Sequence, residues 1–225
     1  MFTRPFLESL TLAILLLAAP LLAQTSVTFA APDGPRLQAD QYGKGDRAVI
    51  LAHGGQFDRQ SWKPQAEVLA KAGFRVLAID FRGYGQTIPG THDEDEKHYP
   101  DVLAAVRYLH STGAKSVSIV GASMGGDAAG DAAVAANAGE IDRIVFLAAE
   151  GGDAPERLKG RKLFILSRND DGDGPRLPRI SASYRKAPDP KKLIILDGSA
   201  HAQFIFSTDQ GPRLMQEILH FLTEP

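Results

Sequence analysis

The stretch VSIVGASMGG, residues 117–126, is an apolar run that stops on a serine fenced by glycines. The run at 117–120 has the composition of a strand buried on both faces. The small residues after Ser123 suit a helix lying very close to a sheet. Gly121 and Gly125 remove side chains where a strand would have to turn sharply into that helix. Ser123 is then either a nucleophile raised on a tight turn or a small residue that fills one. The segment Gly121-Ala122-Ser123-Met124-Gly125 leaves both readings open.

Similar short apolar runs occur at 49–52, 76–79, 144–147, 163–166 and 193–196. Helical patterns lie between or after them. In 101–111, Val102, Leu103, Val106 and Leu109 recur at helical spacing, with Gly113 just past the end. Residues 125–138 are nearly all Ala, Gly and Asp, and 212–222 carry the stripe Leu214, Ile218, Leu219 and Leu222. Upstream, residues 26–42 alternate loosely around Asp33-Gly34, which predicts a strand pair and its turn. Strands alternating with helices predict a single α/β domain with a mainly parallel central sheet and helices on both faces.

In such a sheet, ligands bind beyond the carboxyl ends of the strands. His53-Gly54-Gly55-Gln56 follows the run at 49–52. Ser123 follows the run at 117–120, Asp170 the run at 163–166, and His201 the run at 193–196. A serine, an aspartate and a histidine thus stand at three strand ends, in that chain order.

The order Ser, Asp, His, with the serine inside Gly-x-Ser-x-Gly, resembles the α/β-hydrolase family. The resemblance runs from about residue 49 to the final helix. It includes His53-Gly54 with Trp62 nine residues on, Asp80-Phe81-Arg82-Gly83-Tyr84-Gly85, and Gly198-Ser199-Ala200-His201. It implies a small, cap-poor serine hydrolase: Ser123 as nucleophile, His201 as base, and Asp170 orienting the imidazole. It also implies an oxyanion site from the amides of Met124 and Gly55, with Gln56 the next candidate. No cysteine nucleophile of the dienelactone hydrolase kind is present. Nor is there the aspartate at position 123 that haloalkane and epoxide hydrolases would require.

Position separates the other candidates. His110 and His220 fall in helical patterns, His53 belongs to the oxyanion loop, and His92 and His98 flank the acidic run 93–96, read as a solvated loop. Asp171, Asp173 and Glu150 compete with Asp170 for the acid. Residues 169–174 resemble the opening of a calcium loop, but the twelfth position is Ile180 rather than Glu, so no metal site is expected.

The chain has 225 residues, 44% hydrophobic, a formal charge of -2 and no cysteine. One ordinary domain follows from that length. The balanced charge leaves no footprint for nucleic acid, and the missing cysteines exclude disulfides and zinc–thiolate sites. No cofactor is called for. Arg4 precedes the apolar stretch 10–23 and then Gln24-Thr25-Ser26, the form of a secretory signal peptide, although Glu8 and Leu21 depart from it. The stretch falls short of the roughly 18 to 20 apolar residues of a membrane span. The expectation is a leader over 1–23, cleavage near Ala23, and an exported domain over 24–225, periplasmic or secreted.

The expected activity is a carboxylesterase acting on short or surface-presented acyl esters through an acyl-enzyme. Amide or thioester cleavage by the same residues, and a non-catalytic binding module on the same fold, are the alternatives.

Overall fold

The computed structural model describes residues 24–87 and 97–225; the expected leader and the run 93–96 with His92 lie outside the described residues. The described residues form one eight-stranded sheet in the order β1-β2-β4-β3-β5-β6-β7-β8. β1 (Thr25–Ala30) and β2 (Arg36–Tyr42) are the antiparallel pair around Asp33-Gly34, and β2 also runs antiparallel to β4. β3 (Arg47–Ala52), β4 (Arg75–Ile79), β5 (Ser116–Ala122), β6 (Arg143–Leu147), β7 (Arg161–Ser167) and β8 (Lys191–Leu196) are mutually parallel.

Every apolar run became a strand, because a parallel strand covered on both faces has no polar side to show. Val49, Ile50, Ile144, Val145, Leu163 and Phe164 are fully buried. β8 departs from the expectation: Lys192 is exposed, and Leu193 and Ile195 are only half-buried. It has a single neighbour in the sheet, so part of it faces solvent.

Five helices flank the sheet among the described residues: α1 (Lys63–Lys71), α2 (Tyr99–Ser111), α3 (Met124–Ala135), α4 (Arg176–Lys186) and α5 (Gly211–Thr223). The helix after Ser123 ends at Ala135, short of the expected 138. From β3 the chain crosses to β4 on one side, then from β4 to β5 on the other. With right-handed crossovers, that reversal places α1 on one face and α2 and α3 on the other. It also opens a crevice where the exits of β3 and β5 diverge.

Helix α3 lies close to the sheet because its contact positions lack side chains. A Cβ on Gly121 would come within 2.5 Å of the Gly125 carbonyl oxygen. The half-buried Asp127 carboxylate accepts the amides of Glu150, Gly151 and Gly152 at 3.0, 2.9 and 3.2 Å, tying the loop after β6 to this helix. Burial raises its pKa against the pull of those three bonds.

The segment Asp80-Phe81-Arg82-Gly83-Tyr84-Gly85 is held by charge. Asp80 accepts the amides of Arg59 and Gln86, both at 2.8 Å, and pairs with the Arg59 guanidinium. Arg82 binds Asp101 through its own amide at 2.8 Å and its guanidinium at 2.6 Å, and reaches Asp33 at 2.7 Å. These bonds join the exit of β4 to the first turn of α2 and to the β1–β2 turn. They fix the loop that carries Tyr84.

Candidate active site

Ser123 lies between β5 and α3 with φ 50° and ψ -121°. That left-handed backbone is costly for a residue with a side chain, and the surrounding bonds impose it. Its amide donates to the Leu147 carbonyl at 2.9 Å, while its own carbonyl accepts the amides of Gly126 and Asp127 at 2.8 and 3.1 Å. Ala148 (φ 52°) and Ala202 (φ 48°) are the other described non-glycine residues in this region of backbone space. Ala148 follows β6 and Ala202 follows His201, so the strained positions gather at one end of the sheet.

His201 meets both partners. Its Nε2 is 2.8 Å from Ser123 Oγ, and its Nδ1 is 2.7 Å from Asp170 Oδ2. Asp170 is 1% exposed, and its other oxygen accepts Arg176 Nε at 3.1 Å. With the Nδ1 proton donated to the carboxylate, Nε2 is left as the acceptor that a serine hydroxyl needs. The competing acids lie elsewhere. Asp171 and Asp173 are exposed, Asp173 pairing with Arg176, and Glu150 pairs with Arg179 at 3.4 Å.

Among the described residues, the amides of Met124 and Gly55 donate to no acceptor in the chain. Both residues line a cleft of about 600 Å³ together with Ser123 and His201. Met124 begins α3, so the helix dipole adds to its donor. Gln56 is exposed at the same cleft. Residues 169–174 form a turn that carries Asp170, and no metal-ligand cluster occurs among the described residues.

The loop bearing Gly55 is held from two sides. Gln203 accepts the Gly54 amide at 2.8 Å and donates to Ser61 Oγ at 2.8 Å, which couples the loop to the residues just after His201. Gln203→Leu leaves the Gly54 amide buried without a partner and lets the Gly55 amide drift. Displacement of about 1 Å costs on the order of 100-fold in rate. The expected result is a fall of that order in kcat for p-nitrophenyl acetate with KM little changed. An equal change in KM would contradict it.

His53 is fully buried. Its Nδ1 donates to the Gly54 carbonyl at 2.9 Å, and its Nε2 accepts the Phe81 amide at 3.3 Å. Burial holds its pKa below the ordinary 6.5, so the folded protein keeps it neutral. The unfolded chain binds a proton below about 6.5 that the folded chain refuses, so this residue's contribution is full above that pH and is lost as pH falls below it. Asp127, shifted upward, acts with the opposite sign above its ordinary 3.8. Urea unfolding of wild type and His53→Asn at pH 7.5 and 5.5 isolates the histidine. The wild type should lose more stability between the two than the variant, and equal losses would refute the assignment.

His98 was expected in a solvated loop. It is buried at the start of α2, with its ring 5.2 Å from Phe81 and 5.8 Å from Tyr84, and it lines the cleft. Tyr84, Phe57, Phe204 and Arg176 also line the cleft and were not singled out from sequence. They sit on loops, on a short 3-10 helix or at the first residue of α4, where no periodicity marks an inward-facing residue. The nearest available signals were the Tyr84 of the Asp80–Gly85 segment and the short distance in sequence from His201 to Phe204.

The alpha/beta hydrolase family model matches residues 49–218, and the chain belongs to that family. A non-heme haloperoxidase from Rhodococcus erythropolis is 32% identical over 120 residues, 53% of this chain and 42% of the relative. A human serine hydrolase is 38% identical over 115 residues, 45% of this chain and 36% of the relative. The matched part spans less than half the length of these curated relatives. An esterase from Pyrococcus furiosus shares the fold with a TM-score of 0.77 at 20% identity, covering 89% of this chain and 90% of that one.

Proposed function

We propose that this α/β hydrolase is a serine carboxylesterase that works through an acyl-enzyme on Ser123. The observation that carries the reading is the unbroken line of hydrogen bonds from Ser123 through His201 to the buried Asp170.

His201 Nε2 takes the Ser123 proton as Oγ attacks the ester carbonyl, and Asp170 stabilises the imidazolium. The amides of Met124 and Gly55 receive the oxyanion. Collapse breaks the acyl–oxygen bond, and the Nε2 proton passes to the departing alcohol. Water then repeats the sequence on the acyl-enzyme and releases the acid. Epoxide hydrolases also occur among the relatives, one from Sus scrofa being 38% identical over 95 residues. A serine at position 123, within reach of a base, supports acyl transfer instead.

The substrate is a small or surface-presented ester, with no nucleic-acid partner and no cofactor. Export through the leader 1–23 is part of the same proposal. Among the described residues, no helix is long and apolar enough to cross a membrane.

A fluorophosphonate probe tests the reading. It should label the wild-type protein once, with the adduct mapped to Ser123 by mass spectrometry, alongside hydrolysis of p-nitrophenyl acetate. Protein that neither labels nor hydrolyses would overturn it.

A further inference from the structure

We propose that Phe57 and Phe204 form a subsite for the leaving group, and that the preferred substrates are esters of aromatic alcohols. The proposal rests on the serine-esterase reading above and adds the substrate class.

Phe204 is 45% exposed, the one exposed Phe, Tyr or Trp ring among the described residues. It stands on a 3-10 helix, Ala202–Ser207, in which Ala202, Gln203 and Ile205 are buried. Phe206 of the same helix packs on Trp62, with ring centroids 5.9 Å apart. The helix therefore has its core anchors without Phe204. Phe57 lies against Phe204 at 4.9 Å between centroids and 56° between planes, and both rings line the cleft. A tilted, half-open pair of this kind offers edges and faces to a third ring.

Position relative to His201 decides which half of an ester meets this pair. The Phe204 amide donates to the His201 carbonyl at 3.0 Å, so the ring is fixed within one turn of the base. In the collapse step the acyl–oxygen bond breaks, its electron pair stays on the leaving oxygen, and that oxygen takes the proton from His201 Nε2. The leaving oxygen must therefore face His201, and the alcohol beyond it extends along the histidine side of the cleft. The acyl substituent takes the rest of the cleft, whose lining includes Tyr84, His98 and Met124. There the Tyr84 hydroxyl sits 3.4 Å from Met124 Sδ, which narrows that wall. A small acyl group and a ring on the alcohol match the two sides.

Benzyl acetate and methyl phenylacetate are isomers that place the same ring on the alcohol or on the acyl side. Cyclohexylmethyl acetate keeps the bulk without the aromaticity, and ethyl acetate lacks the ring. Wild-type kcat/KM should favour benzyl acetate over methyl phenylacetate by about 10-fold or more, and over cyclohexylmethyl acetate by a few-fold. Phe204→Ala and Phe57→Ala should each lower the benzyl-to-ethyl acetate ratio by about 10-fold. A ratio is insensitive to a misfolded fraction, which lowers both rates alike.

A loss confined to methyl phenylacetate would put the pair on the acyl side and overturn the proposal, as would an unchanged ratio in both variants. Fluorophosphonate labelling of wild type separates the two levels. With Ser123 labelled and the ratio unchanged, only the leaving-group subsite fails. With no labelling, the esterase reading fails and the subsite falls with it.

Discussion

Ser123→Ala is expected to lower kcat for p-nitrophenyl acetate by about 10⁶-fold and to abolish fluorophosphonate labelling. His201→Ala should cost about as much, and the double variant should cost little more than either single one. The reason is that the two residues perform one act. At 2.8 Å, His201 Nε2 has no proton to take once Ser123 Oγ is gone, and Oγ without the imidazole remains a weak nucleophile. Some rate above water should survive in both variants, about 10³- to 10⁴-fold, because the Met124 and Gly55 amides still stabilise the tetrahedral oxyanion formed when water attacks the ester carbonyl. Steady-state kcat values of all three variants provide the check. Losses that multiply in the double variant would mean that serine and histidine act independently, contrary to the proposed mechanism.

The sheet was legible in the sequence because burial on both faces leaves a strand nothing polar to display. Runs such as 49–52 and 163–166 therefore stand out without any alternation. β8 shows the limit of that reading. It is as apolar as its neighbours, yet an edge position leaves Leu193 and Ile195 partly in solvent. Two helices left no comparable mark. α4 fully buries only Ile180 and Ser183, and α1 only Ala66, Leu69 and Ala70, so their apolar stripes are too thin to read. α3 has small residues on every side, which gives close packing but no stripe to mark where it stops.

The same physics explains the uneven reading of the site. Ser123, Asp170 and His201 each follow a strand, so the parallel sheet alone delivers all three to one end of the molecule. Gly55 and Met124 come with them, being fixed by their distance from β3 and β5. The cleft walls are different. Tyr84 is placed by the bonds that Asp80 and Arg82 make to Arg59, Asp101 and Asp33, partners far apart in sequence. His98 is drawn inward by Phe81 and Tyr84, although its local sequence is charged and polar. Gln203 acts through Gly54, 149 residues away. Contacts of this kind carry no periodic signature.

Asp170→Asn should reduce kcat by about 10⁴-fold, while Asp171→Asn and Glu150→Gln stay within about two-fold of wild type. The carboxylate at 2.7 Å from His201 Nδ1 can only accept, so it fixes the proton on Nδ1 and frees Nε2 toward Ser123. An asparagine in its place can turn its amide group toward Nδ1 and donate. The imidazole proton then moves to Nε2, where it blocks uptake of the serine proton. Arg176 sharpens the effect, because its Nε needs an acceptor from residue 170 at 3.1 Å. That bond favours the asparagine oxygen facing Arg176 and the NH₂ facing His201, which is the inactive arrangement. Asp171 is exposed, and Glu150 is engaged by Arg179, so neither can substitute for the lost carboxylate without moving its loop. Steady-state rates of the three variants across pH 6 to 9, with circular dichroism to verify folding, test the assignment. A large loss in Glu150→Gln with Asp170→Asn near wild type would transfer the role to the exit of β6. Equal losses in Asp170→Asn and Asp171→Asn would point to loop integrity rather than tautomer control.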